Sequence, residues 1–273
     1  MHLRMEEKLE RILRGVREVG GRVLVLTGAG ISAESGIPTF RGRDGTWVVG
    51  SRNYMPQEMA THEMFERAPD EVWRWYLYRF GVCRDARPNA GHEALVRLER
   101  ALGERFTLVT QNIDGLHRRA GSQRVLCIHG DVAWVRCAAD CGLAKVELPP
   151  IVPRGAAPLT AAERSTLSCP RCGGWLRPHV LWFDEYYDEE NYRMDSALRE
   201  AAAADLLLVV GTSGATNLPM QIGQLVYGRG AALVDVNPEE NPFADLAKRS
   251  PSGFFAHGSA CERLPAIVAA LGG

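Results

Sequence analysis

Four of the chain's seven cysteines fall in two close pairs, Cys137-x3-Cys141 and Cys169-x2-Cys172. Four thiolates at such spacing suit tetrahedral zinc, and four protein ligands leave no open position for water or substrate, so the metal is expected to be structural. The odd cysteine count, with Cys83, Cys127 and Cys261 alone, does not suit a disulfide framework. A second chemical run, Thr27-Gly28-Ala29-Gly30-Ile31-Ser32-Ala33, follows the apolar stretch Val23 to Leu26 and matches G-x-G-x-x-G/A. Such glycines let the backbone approach a pyrophosphate, and the next helix offers N–H donors and a favourable dipole. An ordinary strand-to-helix turn uses glycines too. The continuation Glu34-Ser35-Gly36-Ile37-Pro38-Thr39-Phe40-Arg41-Gly42 is unlike a dehydrogenase, where the helix would run on into a second strand ending in an acidic residue. Gln111, Asn112 and Asp114 follow the run Phe106 to Thr110, at the strand end where open α/β sheets place ligands. His129 closes the short run Val125 to Ile128, and an imidazole with an ordinary pKa of about 6.5 suits proton abstraction near neutrality.

The elements that must carry these residues read as α/β. Val23 to Leu26, Phe106 to Thr110, Leu206 to Val210 and Ala232 to Val236 are continuous apolar runs, as expected of strands buried on both faces. Helical stretches such as His92 to Ala101 and Met194 to Ala204 lie between them, which predicts a doubly wound parallel sheet of Rossmann-like type. Two segments break the rhythm: 41–87, with a helix from Pro69 to about Val82, and 134–175, with the cysteine pairs around Leu148 to Ala162. They are expected to form a small helical and zinc-binding domain, leaving 1–40, 88–133 and 176–273 to the nucleotide domain.

The balance of 32 basic and 33 acidic residues gives no global field toward nucleic acid or a membrane surface. No apolar run approaches the roughly 20 residues that span a bilayer. Met1 to Val19 lacks the apolar core of a secretory signal. Leu9, Ile12, Leu13 and Val16 instead repeat at helical spacing among Glu6, Glu7 and Glu10, which also argues against a mitochondrial presequence. A cytoplasmic protein with no membrane partner and no direct nucleic-acid partner is expected.

The run Gly28 to Gly42 closely resembles the first signature of the sirtuin family. The resemblance continues through Pro88-Asn89-Ala90-Gly91-His92, Gln111-Asn112-Ile113-Asp114-Gly115-Leu116-His117, Ile128-His129-Gly130, the cysteine pairs, Arg177-Pro178-His179-Val180-Leu181-Trp182-Phe183, Gly211-Thr212-Ser213 and Asn237. It implies an NAD-dependent protein lysine deacylase with one structural zinc. By resemblance NAD is held by Gly28, Ala29, Gly30, Ser32, Ala33, Glu34, Pro38, Phe40, Arg41 and Trp47. Gln111, Asn112, Ile113 and Asp114 serve its nicotinamide end, and Gly211, Thr212, Ser213, Asn237, Glu239 and Ala260 its adenosine end. Asn112, Asp114 and His129 are the implied catalytic residues. His129 is similar to the family's general base, and His117 is expected to pack. In the implied mechanism the acyl-lysine carbonyl oxygen displaces nicotinamide. His129 then deprotonates a ribose hydroxyl, and the acyl group leaves as O-acyl-ADP-ribose.

Tyr76 and Arg79 are three apart on the expected helix and so share a face. With Ala60 upstream, this Tyr-x-x-Arg resembles the sirtuin class that takes negatively charged acyl groups. Arg79 would grip a terminal carboxylate, Tyr76 would add a hydroxyl, and Ala60 would leave room for the chain. Succinyl- and malonyl-lysine are therefore expected substrates ahead of acetyl-lysine. Val180, Trp182 and Phe183 are expected to pair with an extended acylated peptide. Two positions depart from the family: Cys127 replaces an acidic residue before His129, and Asp184 replaces glycine before Glu185. A mono-ADP-ribosyltransferase and a non-catalytic NAD sensor are the alternative readings.

Overall fold

A computed structural model describes residues 2–39, 47–49, 52–151 and 157–273. Its strands are β1 (Val23–Thr27), β2 (Trp47–Val49), β3 (Arg52–Tyr54), β4 (Phe106–Thr110), β5 (Val125–Cys127), β6 (Gly130–Cys137), β7 (Val146–Glu147), β8 (Leu176–Val180), β9 (Leu206–Val210), β10 (Ala232–Asn237) and β11 (Gly253–His257). Every residue of β1, β4, β9 and β10 is buried, which is why these four read as unbroken apolar runs. They are the centre of a six-stranded parallel sheet ordered β11-β10-β9-β1-β4-β5. The order reverses between β1 and β9, the switch point of a doubly wound Rossmann-like fold. The long apolar runs account for these four strands; β5 and β11 complete the sheet at its edges.

Two apolar layers cover the sheet. On one face the N-terminal helix His2–Glu18 and the helices Ala90–Leu102 and Ala260–Leu271 bring Leu13, Leu95, Leu98 and Leu264 onto Val25, Leu108, Leu208 and Val234. On the other, Met194–Ala203, Asn217–Gly228 and Pro242–Arg249 supply Ala197, Ile222 and Phe243 against Leu24, Leu26, Val109 and Leu207.

A second, antiparallel sheet of three strands, β7-β6-β8, carries the cysteines. Its core is shared with the helix Pro69–Asp85, whose Trp73, Trp75 and Tyr76 are almost fully buried with Val135, Leu176 and Trp182. Trp73 Nε1 donates to the Leu176 carbonyl at 2.9 Å, so one indole both packs the module and ties its helix to β8. Truncating such a buried indole costs about 3–5 kcal/mol. Expected boundaries at 133 and 176 cut this sheet, because β6 begins at Gly130 and β8 reaches Val180. Those two strands pair with each other and not with any strand of the parallel sheet. β2 and β3 form a separate antiparallel hairpin.

Candidate active site

The register places Thr27 beside both Thr110 and Val210, so the loops that follow β1, β4 and β9 open at one level. Two of them cross in contact. Gly28 N–H donates to Val210 O at 3.0 Å and Gly30 N–H to Gly211 O at 2.8 Å. A Cβ on Gly30 would stand 2.6 Å from Gly211 Cα, and Gly211 itself has φ +60°. The glycines expected for ligand approach are therefore demanded first by this crossing of two backbones.

Gln111, Asn112 and Asp114 lock onto the crossing. Asn112 Nδ2 donates to Gly28 O at 3.0 Å and to Ser32 Oγ at 3.2 Å, and Ser32 Oγ donates to Asp114 Oδ2 at 2.8 Å. Burial raises the Asp114 pKa against the opposing bonds from Leu116 N–H and Ser32. Gln111 Nε2 donates to Thr212 Oγ1 at 2.8 Å, while its Oε1 accepts from Thr216 Oγ1 at 2.9 Å. Asn237 Nδ2 donates to Thr212 O at 2.9 Å and its Oδ1 accepts from Glu239 N–H. Glu34 bonds Ser259 Oγ and Cys261 N–H, each at 3.2 Å, with Ala260 buried between them. Asn89 caps the helix Ala90–Leu102 and also donates to Ile31 O and Ser35 Oγ. Ala29, Ala33, Pro38, Ser213 and Glu239 keep accessible surface, while Ile113 is buried. Phe40 and Arg41 lie outside the described residues, and of Trp47 only its place in β2 is described.

The two histidines separate by environment. His117 is buried, with Nε2 2.9 Å from Thr27 Oγ1 and its ring 4.8 Å from that of His92. Burial holds its pKa well below the usual value, so it packs as a neutral ring. His129 keeps some accessible surface, while neighbouring protein strips most of the water from its ring. That desolvation lowers its pKa to about 4, opposed by a hydrogen bond to the Gln111 backbone. It is a neutral imidazole at working pH, the state a base requires. Its Nε2 lies 2.8 Å from the Tyr187 hydroxyl.

Tyr76 and Arg79 are both buried in the helix Pro69–Asp85. Tyr76 Oη accepts from Trp182 Nε1 at 2.9 Å, which leaves its O–H as the donor it can give a ligand. The Arg79 guanidinium stands 4.6 Å from the Trp75 ring and 5.9 Å from that of Tyr76. Ala60, also buried, offers its carbonyl to Phe183 N–H at 2.9 Å. Val180 and Trp182 are buried, whereas Phe183 is 57% exposed and available to a partner.

Asp184 fastens this region. Its carboxylate accepts from His62 N–H at 2.8 Å and Glu63 N–H at 3.2 Å, the first two donors of the helix His62–Arg67. Glu185 bonds the buried Arg177 and accepts from Trp182 N–H, and Arg177 lies 3.4 Å from the Trp182 ring centroid. The sequence marked Asp184 only as a departure from glycine. Tyr187 and Thr216 it did not mark, because nothing in their spacing points at His129 or Gln111.

Cys137, Cys141, Cys169 and Cys172 have their sulfurs within 4.8 Å of one another, with two separations of 3.6 Å. A tetrahedral zinc with Zn–S bonds of ~2.3 Å sets its sulfurs ~3.8 Å apart, so the four thiols fit a structural zinc. Cys127 takes no part; Arg118 reaches its sulfur at 3.7 Å.

A Sir2 family profile matches residues 28–217. A protein of Leptospira interrogans called NAD-dependent protein deacylase is 39% identical over 250 residues, covering 90% of this chain and 92% of that protein. One of Thermus thermophilus with the same description is 43% identical over 250 residues, covering 90% and 89%. A solved Sir2 homolog–NAD complex superimposes with a TM-score of 0.79 at 37% identity, covering 96% of this chain and 93% of that one.

Proposed function

Because the chain belongs to the Sir2 family, we propose that it is an NAD-dependent protein lysine deacylase that prefers succinyl and malonyl groups to acetyl. The observation that carries the acidic preference is the burial of Arg79 against Trp75 and Tyr76. A guanidinium taken out of water gains most from an anionic ligand, and its flat fork matches a carboxylate. Tyr76 adds a hydroxyl on the same helix face, and Ala60 keeps the wall small.

NAD would be held by residues 28–34, 211–213 and 237–239, with Gln111, Asn112 and Asp114 serving its nicotinamide end. Bound there, it supplies the leaving group and the ribose that accepts the acyl group. Ser32, bonded to both Asn112 and Asp114, couples the glycine loop to that end. His129 takes the ribose hydroxyl proton on Nε2. The peptide extends along Val180 to Phe183, where Phe183 is exposed. Zinc on the four cysteines braces β6 against the turn before β8 and takes no part in the reaction. No helix among the described residues is long and apolar enough to cross a membrane. The reduced-thiol chemistry of the zinc ligands favours a cytoplasmic setting.

Mass spectrometry of products from NAD with matched succinyl-, malonyl- and acetyl-lysine peptides tests this reading. Expected are O-acyl-ADP-ribose and nicotinamide, with kcat/KM at least 10-fold higher for the acidic groups. Arg79→Met should remove that advantage, and His129→Ala should abolish turnover with the fold intact. ADP-ribose left on protein would point instead to a transferase; no nicotinamide release would point to a sensor.

A further inference from the structure

The hydrogen bond between the Tyr187 phenol and His129 Nε2, at 2.8 Å, falls on the atom that must take the proton. An imidazole in this contact either donates from Nε2 to the phenol oxygen or accepts there from the phenol O–H, and only the accepting form leaves Nε2 a lone pair for a proton. In the form that a base requires, Nδ1 carries the ring N–H, Nε2 carries the lone pair, and Tyr187 O–H is the donor. We propose that Tyr187 is a positioning residue for His129: its hydroxyl holds the imidazole in the Nε2-acceptor tautomer and occupies the place the ribose hydroxyl takes when substrate binds.

The phenol is not a loose surface contact. Its loop is pinned on either side: Asp184 on the helix His62–Arg67, Glu185 on Arg177 and Trp182 N–H, and Asp188 on Asn191 N–H. Tyr186, between these anchors, is 90% exposed, while Tyr187 turns inward against the core. The two rings lie 5.8 Å apart at 37°, a contact that phenylalanine would make equally well, so packing alone does not call for the hydroxyl. Thr216, which bonds Gln111 Oε1, also contacts the phenol, so Tyr187 joins His129 to the network serving Gln111 and Thr212. Burial pushes the phenol pKa up to about 12, so it remains a donor throughout the working range. Among the described residues no charged side chain contributes to the lowered pKa of His129, and Tyr187 faces the ring at Nε2.

The assignment of the ribose hydroxyl as the displacing group rests on the NAD-dependent deacylase reading; the hydrogen bond itself does not. The test is Tyr187→Phe, first in the free protein by histidine ¹⁵N NMR, with His129→Gln to assign the signal. Wild type should show the Nδ1–H tautomer, and the variant should raise the His129 pKa by about half a pH unit or more, a roughly 3-fold change in proton affinity. In kinetics, the acid limb of kcat/KM for NAD should move up in step, while that of kcat stays, because bound substrate has already displaced the phenol. A 3-fluorotyrosine at 187, a stronger donor, should move the free-protein pKa the other way. The proposal is overturned if His129 titrates identically in all three proteins, or if both acid limbs shift together. Shifted titration in a protein that turns over no acyl peptide would sink the deacylase reading and the displacement, and leave only the tautomer assignment.

Discussion

Asp184→Gly puts the residue usual in the sirtuin family into the clamp between the peptide strand and the helix His62–Arg67. The carboxylate covers two of that helix's unpaired N–H groups, while Thr61 Oγ1 covers a third, that of Met64, at 3.1 Å. Losing a cap of this kind costs about 0.5–2 kcal/mol, and losing a negative charge at a helix N-terminus about 0.3–1 kcal/mol. Because Asp184 is exposed and Thr61 remains, the lower half of each range applies, giving roughly 1–2 kcal/mol. At about 2–4 °C per kcal/mol for a chain of this size, the melting midpoint should fall by roughly 2–8 °C. Hydrogen exchange should localise the loss to His62 and Glu63, and Asp184→Asn, which keeps one acceptor without the charge, should fall between. The freed loop should raise the peptide KM with little change in kcat, since the geometry around His129 has other anchors. Unchanged exchange at His62 and Glu63, with the midpoint within half a degree, would refute the clamp.

Acid should destabilise the protein through its buried histidines. Burial lowers His92, His129 and His179 to about 4 and holds His117 well below its ordinary value. The unfolded chain takes up those protons near pH 6.5, where the folded one does not. Their cost to folding is thus absent above pH 6.5 and grows as pH falls toward 4, by up to about 1.4 kcal/mol per pH unit for each ring. A melting midpoint that is flat between pH 6.5 and 5 would contradict this. Stripping zinc with a mercurial and a strong chelator should release one metal per chain and expose β6 to β8 to exchange. The parallel sheet should stay protected, and simultaneous collapse of both units would show that the metal supports more than its own module.

Much of the parallel sheet was legible because strands buried on both faces must be continuously apolar, and β1, β4, β9 and β10 are. The edges were not. β5 is half-buried throughout, and β11, Gly-Phe-Phe-Ala-His, opens on glycine and closes on an exposed histidine, so its mixed pattern does not separate strand from loop. The cysteine spacing announced a four-sulfur site because ligand number and reach are local properties of the chain. The boundary of the small module was not local: β6 and β8 lie far apart in sequence, and only pairing moved Gly130 and Val180 into one sheet.

The sequence by itself determined the strand order's raw material, the glycine loop, the thiol cluster and the Tyr76–Arg79 helix face, since each follows from residue type and short-range period. Tertiary structure alone decided which glycine meets which backbone, that Asp184 caps a helix over a hundred residues away, and which histidine keeps accessible surface. It also brought Tyr187 onto His129. Contacts of that kind depend on where distant segments pack, and packing is set by the whole core, so no local pattern carries them.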